Sequence, residues 1–314
     1  MLEVTTIAVA ILVAVLGWLW LRSRPKYSVN GKLVVVTGAA SGIGRGLSIS
    51  LSNAGATVAL IDVNEDGLNQ VAATINRPAH VYVCPCDVAD SAQVQATFEK
   101  LVKDTKRPVD VLINNAGIVQ GKSLLELTPT EIQKTLHVNT LSHFYTTKAV
   151  LPSMLERKQG LIVSVSSVMG LIASAKLVDY CASKYAVIGY HEALRMEFYG
   201  SGVRTLLACP TAFSSGMFEG IFTGMVWWRR LIQKTLLPVY TVDDVVGTIM
   251  GAIQDGRYEL ITCAPCWRQY VLPWIIRVVR LLPPFIVDQI LGLGGGFDGM
   301  NSFVGHAHEK SPAK

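Results

Sequence analysis

Tyr180 and Lys184 stand four positions apart in the run Tyr180-Cys181-Ala182-Ser183-Lys184, and Ser167 lies 13 residues before the tyrosine. On a helix, residues at i and i+4 share a face, so this spacing sets a phenol beside an ammonium. Such a pair can move protons. A free tyrosine titrates at about 10, too high for an efficient base at neutral pH, and a nearby positive charge stabilises the phenolate. A serine hydroxyl beside it would bind a substrate oxygen and steady a developing alkoxide. The chemistry implied is the interconversion of a hydroxyl and a carbonyl, with Tyr180, Lys184 and Ser167 as its carriers. Chance supplies Tyr-x-x-x-Lys often on helix surfaces, so what accompanies it decides the matter.

Its companion is a turn, Thr37-Gly38-Ala39-Ala40-Ser41-Gly42-Ile43-Gly44, placed after a β-branched run and before a helical pattern. Glycines allow a tight turn and let backbone N–H groups approach a pyrophosphate, which the positive end of the following helix also attracts. Gly38, Ser41, Gly42, Ile43 and Gly44 are therefore the expected phosphate contacts of a dinucleotide. Asp62 follows 24 residues after Gly38 at the end of the second apolar run. A carboxylate there accepts the adenosine ribose hydroxyls and repels a 2′-phosphate, favouring NAD over NADP. Arg45 is the nearby cation that blurs this preference. Asp87 and Val88 follow the third run, with Asp87 placed for the adenine amino group. Asn114-Asn115-Ala116-Gly117 closes the fourth, adding Asn115 and Ala116 to the cofactor floor. Tyr180 and Lys184 belong to that floor as well, since the ammonium would hold the nicotinamide ribose and pass the proton onward.

The elements carrying these residues read clearly. Apolar runs at 33–37, 57–62, 81–84, 109–114, 161–166 and 203–208 alternate with helical patterns around 43–54, 64–75, 91–105, 129–155 and 180–199. Buried strands separated by helices imply a parallel sheet covered on both faces. The expectation is an α/β fold, a doubly wound Rossmann-type sheet with ligands at the carboxyl ends of its strands. A capped helix from Thr241 to about Ile253 follows. No metal site is expected: Cys263-Ala264-Pro265-Cys266 has no second ligand pair, and the histidines at 137, 143 and 191 lack one too, reading as packed or solvated.

Half of the 314 residues are hydrophobic and only 16% are charged, and the surplus sits at the two ends. Val4–Leu21 is an uncharged run of 18 residues, the lower limit for a membrane span. Glu3 precedes it, Trp18 and Trp20 mark its end, and Arg22, Arg24 and Lys26 follow. These flanks favour an uncleaved anchor with a cytosolic catalytic domain over a signal peptide. A second apolar and basic stretch at 267–290 has the composition of interfacial helices. The net charge of +5 suits an anionic membrane surface rather than nucleic acid. The division is thus an anchor and basic flank at 1–30, a catalytic domain at 31–262 with an apolar lid at about 214–240, and an extension with a polar tail at 263–314.

Residues 31–215 resemble the short-chain dehydrogenase/reductase family, through TGxxxGxG at 37–44, NNAG at 114–117 and the Ser167…Tyr180…Lys184 set. The resemblance implies that Asn139, in His137-Val138-Asn139-Thr140, bends its helix and holds a water of the proton relay through its carbonyl. It implies Phe213 and Ser215 as contacts under the nicotinamide, although Pro210-Thr211 departs from the usual Pro-Gly there. It also implies a homodimer through the helices at 129–155 and 180–199. A narrower likeness to the retinol and 17β-hydroxysteroid dehydrogenase branch rests on the anchor, Asp179–Lys184, Gly189–Glu192, Gly216–Phe218 and Met300–His306. That branch implies a lipophilic alcohol or ketone (retinoid, steroid or long-chain alcohol) as substrate. It also implies an endoplasmic reticulum membrane or lipid droplet as the site of action. The competing readings are an anchored NADPH ketoreductase of sphingolipid or fatty-acyl metabolism, which Asp62 disfavours, and a scaffold that keeps the fold without catalysis.

Overall fold

A computed structural model describes residues 26–211, 239–256, 259–260, 268–293, 296–297 and 300. The expected anchor, most of the expected lid, Phe213, Ser215, Cys263, Cys266 and the polar tail lie outside the described residues. Among the described residues, no helix is long and apolar enough to cross a membrane.

The apolar runs form strands because their side chains find cover on both faces. β1 (Leu33–Thr37), β2 (Thr57–Asp62), β4 (Val111–Asn114), β5 (Gly160–Val165) and β6 (Val203–Ala208) are buried almost throughout. β3 (Val81–Pro85) is only half-buried, because it closes one edge of the sheet. A two-residue β7 (Glu259–Leu260) closes the other edge, beyond the six strands that the sequence pattern implies. The order is β3-β2-β1-β4-β5-β6-β7, and every pairing is parallel. The chain reverses its winding between β1 and β4, which opens a crevice at their carboxyl ends.

Helices supply both covers. On one side α1 (Gly42–Asn53), α2 (Glu65–Thr74) and α7 (Val242–Gln254) pack a core of Val34, Val36, Leu47, Leu51, Leu60, Val163 and Ile249. On the other, α3 (Ser91–Thr105), α5 (Ser142–Glu156) and α6 (Val178–Glu197) cover Leu33, Val35, Ile61, Leu112 and Ile162. Alternate residues of β1 thus serve opposite cores, as the period-two geometry of a strand requires. α4 (Pro129–Leu136) begins with a capping box of Thr128 and Glu131. The helix expected at 129–155 is not continuous: a wide π turn spans His137–Leu141 between α4 and α5. Finally α8 (Arg268–Arg280) and α9 (Pro284–Leu293) form the C-terminal extension.

Candidate active site

β1 delivers its last residue, Thr37, into the crevice, and that hydroxyl ties the neighbouring turns together. It donates to the Ile113 carbonyl at 3.4 Å and accepts from the Asn115 and Ala116 N–H groups at 2.9 and 3.1 Å. Asn115 returns the contact, its Nδ2 donating to the Thr37 carbonyl at 2.9 Å. The glycine turn therefore sits hard against the end of β4. Gly38 has φ +67°, and a Cβ there would lie 2.9 Å from the Ala116 Cα. A Cβ at Gly44 would run into the Gly38 carbonyl. Asp62, ending β2, accepts the Ala40 N–H on one oxygen and the Asn64 N–H on the other, each at 3.1 Å. Asp87 accepts from the Ala89 N–H at 2.9 Å, and Val88 beside it is buried.

The second half of the site is built around Asn139. The π turn carries this residue into the interior, where it is fully buried. Its Oδ1 accepts from the Ile118 N–H at 2.7 Å, and its Nδ2 donates to the Ile118 carbonyl at 2.9 Å and to Ser183 Oγ at 3.0 Å. Ser183 Oγ donates to the Tyr180 carbonyl at 2.7 Å, and Thr140 Oγ1 donates to the Ser183 carbonyl at 3.0 Å. One amide thus joins the segment after Asn114–Gly117 to the first turns of α6. Ser166 Oγ donates to the Lys184 carbonyl at 2.8 Å, fixing the same helix to the end of β5. Ser167 caps the short turn Val168–Gly170, accepting from the Met169 N–H at 3.1 Å.

Tyr180, Lys184 and Ser167 meet in this frame, all three buried. The Lys184 ammonium lies over the Tyr180 ring, 5.7 Å from its centroid, and donates to the Val165 carbonyl at 3.2 Å. Burial pushes the Tyr180 phenol well above its ordinary value; a hydrogen bond with Ser167 opposes this, and Cys181 adds slightly to the rise. Burial lowers the Lys184 ammonium to about 8, with a small opposing contribution from Cys209. The expected acidic phenol needs the positive charge of a bound nicotinamide as well as the ammonium, and the protein alone supplies only the ammonium. Within the protein alone desolvation outweighs the Ser167 hydrogen bond, and the ammonium faces the ring. The phenol therefore holds its proton at neutral pH unless further positive charge is brought beside it.

The residues of the glycine turn, the carboxyl-end crevice and the Ser/Tyr/Lys cluster fall within one known sequence pattern. The model of the short chain dehydrogenase family matches residues 32–225. The chain belongs to the short-chain dehydrogenase family. It is an NAD(P)-dependent enzyme of alcohol and ketone substrates, in the retinol dehydrogenase branch. Short-chain dehydrogenase/reductase family 16C member 6 of Bos taurus is 36% identical over 243 residues, covering 76% of this chain and 74% of that protein. Epidermal retinol dehydrogenase 2 of Homo sapiens is 35% identical over 285 residues, covering 88% of this chain and 87% of its own length. Among solved structures, a metagenomic short-chain oxidoreductase in complex with NADP aligns with a TM-score of 0.62 at 26% identity. The alignment covers 75% of this chain and 97% of that one.

The short-chain dehydrogenase's residues fit a nicotinamide dinucleotide. α1 starts at Gly42 with no side-chain cap from Ser41 and no acidic residue in its first turn, so among the described residues its leading N–H groups and positive end are unopposed. Among the described residues nothing lies within 4 Å of the place where a Gly42 Cβ would stand, which leaves room for a phosphate. Thr211 Oγ1, just past β6, is buried without a hydrogen bond among the described residues. Among the described residues, the three N–H donors of Lys184 have one acceptor, the Val165 carbonyl.

Several residues that shape the site gave no warning in the sequence. Ser183 lies inside the Tyr-x-x-x-Lys run yet serves as the anchor for Asn139. Thr135 Oγ1 donates to Asp179 Oδ2 at 2.7 Å, securing the residue before Tyr180 from α4. His143 and His191, expected to be packed or solvated, are both buried, and His191 Nδ1 lies 3.0 Å from Ser164 Oγ. Burial holds His143 well below the usual histidine range, helped by the charges of Lys184 and His191, and lowers His191 to about 4.

Proposed function

We propose that the chain interconverts a lipophilic alcohol and its carbonyl with NAD at a membrane surface, Tyr180 exchanging the proton. The convergence of Tyr180, Ser167 and Lys184 in a buried crevice carries this reading. Bound there, a nicotinamide dinucleotide supplies the hydride acceptor or donor. Gly38, Ser41, Gly42, Ile43 and Gly44 would hold its phosphates, and Asp87, Val88, Asn115 and Ala116 would border the rest. Asp62 would receive the ribose hydroxyls, and its negative charge supports NAD over NADP. Ser167 would bind the substrate oxygen and keep it within reach of the phenol. Lys184 would orient the cofactor ribose and, with an ammonium depressed to about 8, can give or take a proton near neutrality. Asn139 holds α6 in register, so that the phenol, ammonium and serine stay together.

The membrane part of the proposal rests on the apolar run 4–21 with its basic flank and on the apolar surface of α8 and α9. The lipophilic substrate class follows from that composition, and the names of the retinol dehydrogenase relatives agree with it. The test is NAD reduction by detergent-solubilised protein with retinol, hydroxysteroids and long-chain alcohols. Wild type should turn over at least one of these, and Tyr180→Phe should lose turnover by about a thousandfold while keeping NAD affinity. Equal turnover by the phenylalanine variant would refute the assignment.

A further inference from the structure

α8 is apolar on two sides. Its inner face, Leu272 and Ile276, is buried against Val168 and Ile172, with Met169, Leu171 and Leu291 packed around them. Its outer face carries Val271, Trp274, Ile275 and Val278, all exposed, Trp274 by 65% and Val278 by 56%. That spacing of three and four marks one continuous helical stripe. Leu281 beyond its end is 84% exposed, and α9 adds Phe285 at 69%. A contiguous apolar patch on a folded surface marks an interaction site. The rim is basic: the Arg277 guanidinium lies 5.5 Å from the Trp274 ring and that of Arg280 lies 5.4 Å from the Tyr185 ring. Both arginines are exposed, and Asp288 is the one acidic residue in 268–293.

Charge identifies the occupant. A second copy meeting this face about a twofold axis would bring the same arginines toward one another. An anionic bilayer accepts the stripe in its acyl boundary while the arginines reach lipid phosphates. The buried side of the same helix leads to the catalytic cluster. The turn Val168–Gly170 follows Ser167 directly and is held from behind by α6, where a Cβ at Gly170 would lie 2.6 Å from the Lys184 carbonyl. The Val168 N–H donates to the Pro210 carbonyl at 2.8 Å. From the front, α8 packs on Val168 and Ile172, and the Gly296 carbonyl accepts from Ser174 Oγ at 3.0 Å and from the Ala175 N–H at 2.8 Å. The serine turn is therefore clamped between the catalytic helix and the C-terminal helix pair.

We propose that the outer face of α8 and α9 docks on an anionic membrane surface, and that docking steadies the Ser167 turn, making the enzyme surface-activated. This rests on the membrane-associated oxidoreductase reading above and adds the face, the lipid charge and the regulatory consequence. The experiment is peptide-resolved hydrogen–deuterium exchange on the full chain in phosphatidylcholine vesicles, with and without phosphatidylserine. Exchange needs no turnover, so its outcome is independent of the substrate and of the tyrosine mechanism. Anionic lipid should slow exchange several-fold at 268–293 and also at 167–175. Trp274→Glu combined with Val278→Glu should abolish both effects. Arg277→Glu alone, remote from the buried face, should remove the dependence on phosphatidylserine. Exchange at 268–293 indifferent to lipid charge would overturn the docking, as would protection that follows protein concentration, the mark of a second copy. Protection at 268–293 without any at 167–175 would overturn the coupling to Ser167.

Discussion

Lys184 is 3% exposed, and its ammonium donates to the Val165 carbonyl at 3.2 Å. A fall in its pKa from 10.5 to about 8 corresponds to a cost of about 3 kcal/mol for keeping the charge in the folded protein at neutral pH. Lys184→Met removes the charge and keeps most of the stem's volume. Losing the Val165 hydrogen bond returns about 1 kcal/mol, which leaves a net gain of about 2 kcal/mol. For a domain of this size that is a rise in Tm of about 4–8 °C, accompanied by loss of turnover. The pH dependence carries the stricter test. The unfolded lysine binds its proton up to 10.5 and the folded one only up to about 8, so the unfolded state holds more protons between those values. Wild-type stability from this group therefore rises with pH across that window. The variant lacks the group, so its advantage should shrink steadily from pH 8 to 10.5. Paired thermal melts at pH 7, 8, 9 and 10 measure it; taking the difference cancels the buried tyrosines and cysteines common to both proteins. A variant less stable at pH 7, or an advantage that does not change with pH, would refute the reasoning.

Asp62→Ala should shift the ratio of NAD to NADP affinity toward NADP by about tenfold or more, the scale of hydrogen bonds to a charged group; titration of both dinucleotides reads the ratio, and an unchanged ratio removes Asp62 from the proposed role. Gly44→Ala forces a methyl into the Gly38 carbonyl, so dinucleotide affinity should drop by over tenfold or the protein should melt earlier; unaltered binding and Tm would show that the turn is not held as described. His191, lowered to about 4, stays neutral in the fold while the unfolded residue protonates below about 6.5, so stability should fall as pH drops from 6.5 toward 4. His191→Gln should flatten that slope, and chemical denaturation at pH 4.5 and 7 checks it.

The strands were the most legible part of the chain. β1, β2 and β6 match their apolar runs residue for residue, because a strand covered on both faces needs continuous hydrophobicity, which shows in any order of reading. The exposure of β3 did not show, since its place at the sheet's edge depends on which strands pair. Two-residue β7 offers no period to detect. The helical repeat across 129–155 hid the π turn at His137–Leu141, because a single inserted residue scarcely disturbs it; only the family resemblance pointed to a bend at Asn139. The glycine turn and the Tyr-x-x-x-Lys spacing were legible as motifs because backbone geometry and local spacing fix them. The burial of the cluster was not: sequence adjacency reports the ammonium's charge, whereas desolvation of Tyr180 also depends on Val119, Met169 and Met300, brought into its cluster from distant segments. His143 and His191 were opaque for the same reason, their burial arising between α5, α6 and β5.

The two oxygens of Asp62 are both occupied in shaping the chain, one by the Ala40 N–H and one by the Asn64 N–H. Altering the dinucleotide choice through position 62 is therefore more than an exchange of one charge for another. A residue introduced at 62 would have to inherit two scaffolding duties, or the glycine turn and the start of α2 would drift apart. The route of least resistance leaves the carboxylate in place and adds a cation nearby, with Val63, two-thirds exposed, as the position where a new side chain disturbs least.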